Sequence, residues 1–141
     1  MIRNSFVVMV GIFLLLVNSS CQDQETIRRR QIFTSGLMLY QKLCQNCHGE
    51  DGKGLGKLIP PLAGADYMYA DKARTVCIIR NGLQGEIMVN SIKYNNQMPA
   101  NQNLTSIEIA QLMTFIYNSW GKKDSVFTQK NMEKIISNCD K

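Results

Sequence analysis

The apolar positions of this chain change period several times, and each change predicts a different element. The first run, Phe6 to Val17, is continuously apolar, follows Arg3 and ends in Asn18-Ser19-Ser20-Cys21. Charge, apolar core and small residues come in the order of an export signal, and the run is too short to span a bilayer. Gln22 to Arg30 is polar without apolar periodicity and is expected to be a tether. Phe33, Leu37, Tyr40 and Cys44 then recur at helical spacing, with Thr34 or Ser35 able to cap the start. A glycine-rich loop follows over Gly49 to Gly56, then Pro60-Pro61-Leu62-Ala63-Gly64. Ala73 to Arg80 reads as a short helix closed by Asn81-Gly82, and Gly82 to Gln102 as largely irregular. Thr105-Ser106-Ile107-Glu108 is a capping box that opens the best-marked helix, whose apolar face is Ile109, Leu112, Met113, Ile116 and Trp120. Met132, Ile135, Ile136 and Cys139 share a face in a short terminal helix. No convincing run of alternating strands occurs.

These boundaries divide the 141 residues into a signal over 1–20, a tether over 21–31, one small folded domain over 32–120 and a C-terminal extension over 121–141. The formal charge of +5 falls to +4 when Arg3 leaves with the signal, a mildly basic balance that is no footprint of nucleic-acid binding. Arg28-Arg29-Arg30 could touch anionic lipid or an acidic partner, but a short charge run is more often a solvated segment.

Chemistry is concentrated in Cys44-Gln45-Asn46-Cys47-His48, a C-x-x-C-H run. Behind an export signal, this spacing points to covalent attachment of one c-type haem. Each thiol can add across one vinyl group of the same porphyrin, and the imidazole of the next residue reaches the iron. A thioredoxin-like pair would need a surrounding βαβ pattern, and a zinc site would need a second ligand pair, yet His48 is the only histidine. A phosphate-binding role for the glycine loop is disfavoured because no Gly-Lys-Ser/Thr follows and no apolar strand precedes it. Of five cysteines, Cys44 and Cys47 take the haem. Cys21, behind small residues, is a candidate for lipidation, although Asn18 departs from the usual aliphatic residue and Val17-Asn18-Ser19 offers an ordinary cleavage site. An uncleaved N-terminal anchor is the lesser alternative. Cys77 and Cys139 remain as a candidate disulfide for an oxidising compartment, against the simpler reading of two unrelated core residues.

A haem iron with one histidine ligand either stays open or accepts a second side chain. Met98 is the candidate, because it precedes Pro99 in the polar loop Asn95 to Pro99 and has no helical apolar face to join. Met113 and Met132 read as core fillers, and Met68 and Met88 as weaker rivals.

Taken together, Gly36 and Tyr40 upstream of Cys44, the attachment run with Gly49, Pro60 to Gly64, Met98-Pro99 and an aromatic C-terminal helix resemble the class I cytochrome c family over roughly Phe33 to Trp120. The resemblance implies an all-α fold of short helices and loops wrapped around one covalently bound haem, with the first and last core helices crossing closely at Gly36 and Tyr40 packing near Leu112 and Phe115. It also implies that the carbonyl of Pro60 accepts a hydrogen bond from the ring of His48, and it raises contacts of Asn90 and Tyr94 with the haem edge. Cys77 and the tail from Gly121 depart from the simplest family pattern.

The expected function is a single-electron carrier cycling Fe(III)/Fe(II) in an exported respiratory chain. It would face the periplasm, with a lipid anchor on the membrane and transient redox-protein donors and acceptors, which Lys53 and Lys57 could steer. The competing readings are a haem enzyme or gas sensor in which Met98 leaves the iron, and a haem subunit fixed in a larger respiratory complex.

Overall fold

Glycine at position 36 decides how the core assembles. In the computed structural model, which describes residues 24–121 and 126–139, a Cβ added to Gly36 would lie 2.1 Å from the carbonyl oxygen of Gln111 and 2.7 Å from Cβ of Phe115. The helix over residues 32–43, here α1, therefore crosses α5 (Ser106–Trp120) with backbones in near contact. Around the crossing, Tyr40 is 1 % exposed, and its ring stands 5.2 Å from Phe115 and 5.1 Å from Trp120. Phe33 meets Phe115 at 5.2 Å. Such aromatic contacts add to area burial. α5 begins at the expected capping box, with Thr105 and Glu108 each accepting from the other's backbone N–H, and it buries Ile109, Leu112, Met113 and Ile116 as its spacing predicts.

The chain divides into two compact units between Gln31 and Ile32. Residues 24–31 of the first unit are helical and exposed, which corrects the expectation that the helix starts at a cap of Thr34 or Ser35. Good helix formers and the exposed Arg29–Glu25 pair at 3.1 Å, spaced i,i+4, favour helix without any apolar periodicity to reveal it. The expected signal over 1–20 and Cys21 lie outside the described residues.

Within the second unit, α2 (Gln45–His48) continues from α1 through a turn at Cys44, whose carbonyl accepts from both Cys47 N and His48 N. After the glycine loop come α3 (Asp66–Ala70) and α4 (Lys72–Asn81). α4 starts at Asp71, whose side chain accepts from Arg74 N, and ends at Gly82 with φ 78°. α3 has no counterpart in the sequence pattern, since five residues carry no measurable period.

The stretch after Gly82 is also more regular than expected. β1 (Ile87–Val89) and β2 (Ile92–Tyr94) form a two-stranded antiparallel hairpin with Val89 opposite Ile92 and Ile87 opposite Tyr94. Asn90 (φ 50°) and Ser91 (φ 64°) form its two-residue turn, both left-handed as a tight hairpin demands. Leu83 and Met98 close the base by exchanging N–H···O bonds of 3.0 and 2.9 Å. Residues 83–98 thus make a flap, the one departure from an otherwise all-α fold among the described residues.

α6 (Gln129–Ile136) packs on α4 and α5, with Met132 buried. Cys139, just beyond it, is joined to Cys77 of α4 by a disulfide with Cα atoms 5.3 Å apart.

Candidate functional site

The end of α1 carries Cys44 into the wall of an apolar cavity, and the following turn buries His48 beside it. His48 is 8 % exposed, and its Nδ1 lies 3.1 Å from the carbonyl oxygen of Pro60. A carbonyl can only accept, so Nδ1 carries the proton and Nε2 is left with a free lone pair. Burial lowers the His48 pKa from its ordinary value, against a smaller raising effect of the Pro60 bond, so the ring is held neutral and able to ligate.

Pro60 reaches this position because the loop folds back on itself. Gly54 N donates to the His48 carbonyl at 2.8 Å and Leu55 N to the Ile59 carbonyl at 3.0 Å. A Cβ on Gly54, whose φ is +70°, would stand 2.3 Å from the oxygen of Ile59 and 2.6 Å from that of Pro60, so only glycine fits here. Tyr40 OH donates to the Gly49 carbonyl at 2.5 Å, fixing the start of the loop to the buried face of α1. Burial, then the nearby Cys44 and Asp51, raises the pKa of that hydroxyl, which stays protonated and a donor.

Cys44 and Cys47 are both free thiols. Burial, with a smaller contribution from Cys47, pushes Cys44 up to about 12. Cys47 is exposed and does not line the cavity, so the two thiols stand at different depths, one in the wall and one outside it.

The cavity and its opening to solvent together hold about 650 Å³ of space not filled by atoms. α2 and its loop contribute His48 and Pro60, α3 and α4 contribute Met68, Thr75 and Ile79, and the flap contributes Leu83, Ile87, Val89 and Met98. Among the described residues, the lining contains no carboxylate, lysine or arginine. Its one hydroxyl from threonine is already engaged, since Thr75 Oγ1 stands 2.9 Å from the Asp71 carbonyl and 3.1 Å from that of Met68.

Of the residues singled out from sequence, Cys44, His48, Pro60 and Met98 line this one cavity. Met113 and Met132 are core fillers, and Met88 is 53 % exposed. Met68, a weaker rival, is nevertheless in the lining, where its helix was too short to be read. Asn90 and Tyr94 do not line the cavity. Asn90 bonds to Asp66, and Tyr94 OH donates to the Gly56 carbonyl at 3.3 Å. Cys77 and Cys139 are apart from the cavity in their disulfide, although Cys77 adjoins the lining residue Ile78. Lys53 pairs with Asp51 at 2.7 Å. Among the described residues, no helix is long and apolar enough to cross a membrane.

A neutral imidazole with a free Nε2, a thioether and a thiol facing one apolar cavity, with a second thiol close by in sequence, fit a flat apolar macrocycle holding iron. A family model described as Cytochrome c matches residues 33–120. A cytochrome c-552 from Thermus thermophilus is 32% identical over 109 residues, covering 71% of this chain and 82% of that protein. A second cytochrome c-552 from the same species is also 32% identical over 109 residues, covering 71% of this chain and 73% of that protein. The cytochrome c subunit of an alcohol dehydrogenase (quinone) from Gluconacetobacter polyoxogenes is 27% identical over 101 residues, covering 62% of this chain but 19% of that one.

Proposed function

The chain belongs to the cytochrome c family, and from that premise we propose that Cys44 and Cys47 hold its haem through thioether links while His48 Nε2 and Met98 sulfur are the two axial ligands. The protein is an electron carrier with one covalently attached haem c, which supplies an iron that cycles between Fe(III) and Fe(II).

The observation that carries the ligand assignment is that His48 and Met98 line the same apolar cavity from separate segments, α2 and the flap. The chain's own contribution is then to hold still. The Pro60 carbonyl fixes the ring of His48 and increases its donor strength. The Leu83–Met98 backbone pair anchors the thioether. The apolar walls exclude water, which together with the sulfur ligand favours a raised potential. With both ligands retained in the two oxidation states, little has to reorganise when an electron moves.

Met98 is preferred over Met68 because Met68 belongs to the buried core of α3, and its carbonyl accepts from both Thr75 and Tyr117. We place the protein in an exported, periplasm-facing respiratory chain, anchored by a lipid on Cys21 and exchanging electrons with transient redox-protein donors and acceptors. The export signal and the small residues before Cys21 support that placement.

The test is an absorption spectrum of the oxidised holoprotein. Met98→Ala should abolish the sulfur-to-iron charge-transfer band and Met68→Leu should retain it. A band that survives Met98→Ala overturns the ligand assignment.

A further inference from the structure

We propose that Asp66 and Asn90 form a latch that positions Met98 by holding the tip of the flap, an inference that rests on Met98 being the axial ligand. The two residues exchange a reciprocal pair of bonds. Asp66 N donates to Asn90 Oδ1 at 3.1 Å, and Asn90 N donates to Asp66 Oδ1 at 2.8 Å. Asp66 Oδ1 also accepts from Tyr67 N at 2.6 Å, so the same oxygen meets the first turn of α3 and the hairpin tip.

This pair is placed where it can matter. Tyr67 and Met68 of α3 line the cavity, and so do Ile87, Val89 and Met98 of the flap. The latch therefore joins two lining segments of the cavity. The flap is otherwise tied at its base through Leu83 and Met98, at its side by the 3.3 Å bond from Tyr94 OH to the Gly56 carbonyl, and by the buried side chains of Val89 and Tyr94. Two strands of three residues each give an isolated hairpin little stability of its own. The turn adds a cost, because Ser91 is held at positive φ without being glycine. An element of this kind stays closed only where outside contacts hold it.

Asp66 and Asn90 are exposed and do not line the cavity, so they are positioning residues acting through the flap. Releasing the tip should loosen the flap as a whole, the Leu83–Met98 pairing at its base included. The thioether would then leave the iron more often, and an external ligand could take its place.

Binding of imidazole to the oxidised holoprotein reads this directly. Asn90→Ala should increase the apparent association constant about tenfold, the effect of one hydrogen bond, and weaken the charge-transfer band. The exchanged pair Asp66→Asn with Asn90→Asp keeps both acceptors, a single carboxylate and tolerance of positive φ at position 90, and should restore wild-type binding. Thr128→Ala, which removes the cap of the distant α6, tests for general destabilisation and should leave imidazole binding unchanged. An Asn90→Ala protein that binds imidazole like wild type, or a Thr128→Ala protein that gains as much, overturns the latch while leaving the ligand assignment standing. Absence of the band from the wild type would instead overturn that assignment and the latch with it.

Discussion

The segment that carries Cys44 and His48 and the flap that carries Met98 are held in different ways. The first is bound by close backbone contact. Gly36 lets α1 lie against Gln111, Gly54 lets the loop lie against Pro60, and the ring of Trp120 stands 2.7 Å from where a Cβ on Gly52 would be. Each contact leaves no room for a side chain, and packed interiors do not yield gradually. The flap has backbone pairing at its base and within its hairpin, with side-chain bonds at tip and edge that are exposed or half-buried. Under the proposed ligation, the nitrogen donor would be fixed on a rigid wall and the sulfur donor presented by an element whose closure is adjustable. A single hydrogen bond contributes about 1 kcal/mol, less than a packed backbone contact, so the two sides should answer differently to substitution.

The largest expected loss comes from the staple behind both. Replacing Cys77 and Cys139 together by serine removes a cross-link over a sequence separation of 62, which should lower unfolding free energy in denaturant titration by about 4 kcal/mol on the loop-entropy argument. Because Cys77 lies in α4, next to Ile78 of the cavity wall, this variant should also broaden the difference between the two sides by loosening the helix from which the flap departs. Next comes a pair of glycine substitutions. Gly36→Ala drives a methyl into a backbone oxygen 2.1 Å away and should cost about 3 kcal/mol. Gly85→Ala, in the flap, has open space around it and a φ of +94°, and should cost only the backbone penalty of about 1–2 kcal/mol. Equal losses in the two would contradict the distinction between rigid wall and adjustable flap.

The smallest effect concerns the start of α5. The hydroxyl and then the backbone N–H of Thr105 hold the Glu108 carboxyl below its ordinary pKa of 4.5. A depressed folded value means that the unfolded chain binds the proton more readily, so this contribution is present above pH 4.5 and is lost as pH falls through the folded value. Glu108 is exposed and its charge is screened by solvent. Glu108→Gln should therefore flatten the acid limb of the stability profile only slightly, by less than about 1 kcal/mol, with no change in imidazole binding.

The same division explains what could be read from sequence. Cys44, Cys47 and His48 are adjacent, and the α5 face and capping box are local patterns, so their chemistry and placement were legible. Gly36, Tyr40, Pro60 and Met98 followed from a combination of motifs in order. The hairpin was not legible because Ile87-Met88-Val89 and Ile92-Lys93-Tyr94 are too short for alternation to register, and Asn90-Ser91 lacks the glycine that usually marks such a turn. Its partner Asp66 is distant in sequence and looks like any helix-starting aspartate. α3 was hidden by its length, and Met68 with it. Asp71 ahead of Lys72 was a readable cap that would have placed the start of α4 correctly. Residues 24–31 show the reverse failure, a helix supported by residue preference and one ion pair where the apolar pattern is silent.

Because α1 completes its packing only against α5, near the far end of the matched domain, the core cannot close while the chain is still growing. Early segments therefore wait for late ones, a non-local dependence that slows commitment to the native state. During that interval the Cys44-to-His48 run, where attachment is proposed, would stay open to whatever joins a porphyrin to it. The Gly36 crossing would then set a timetable as well as a distance.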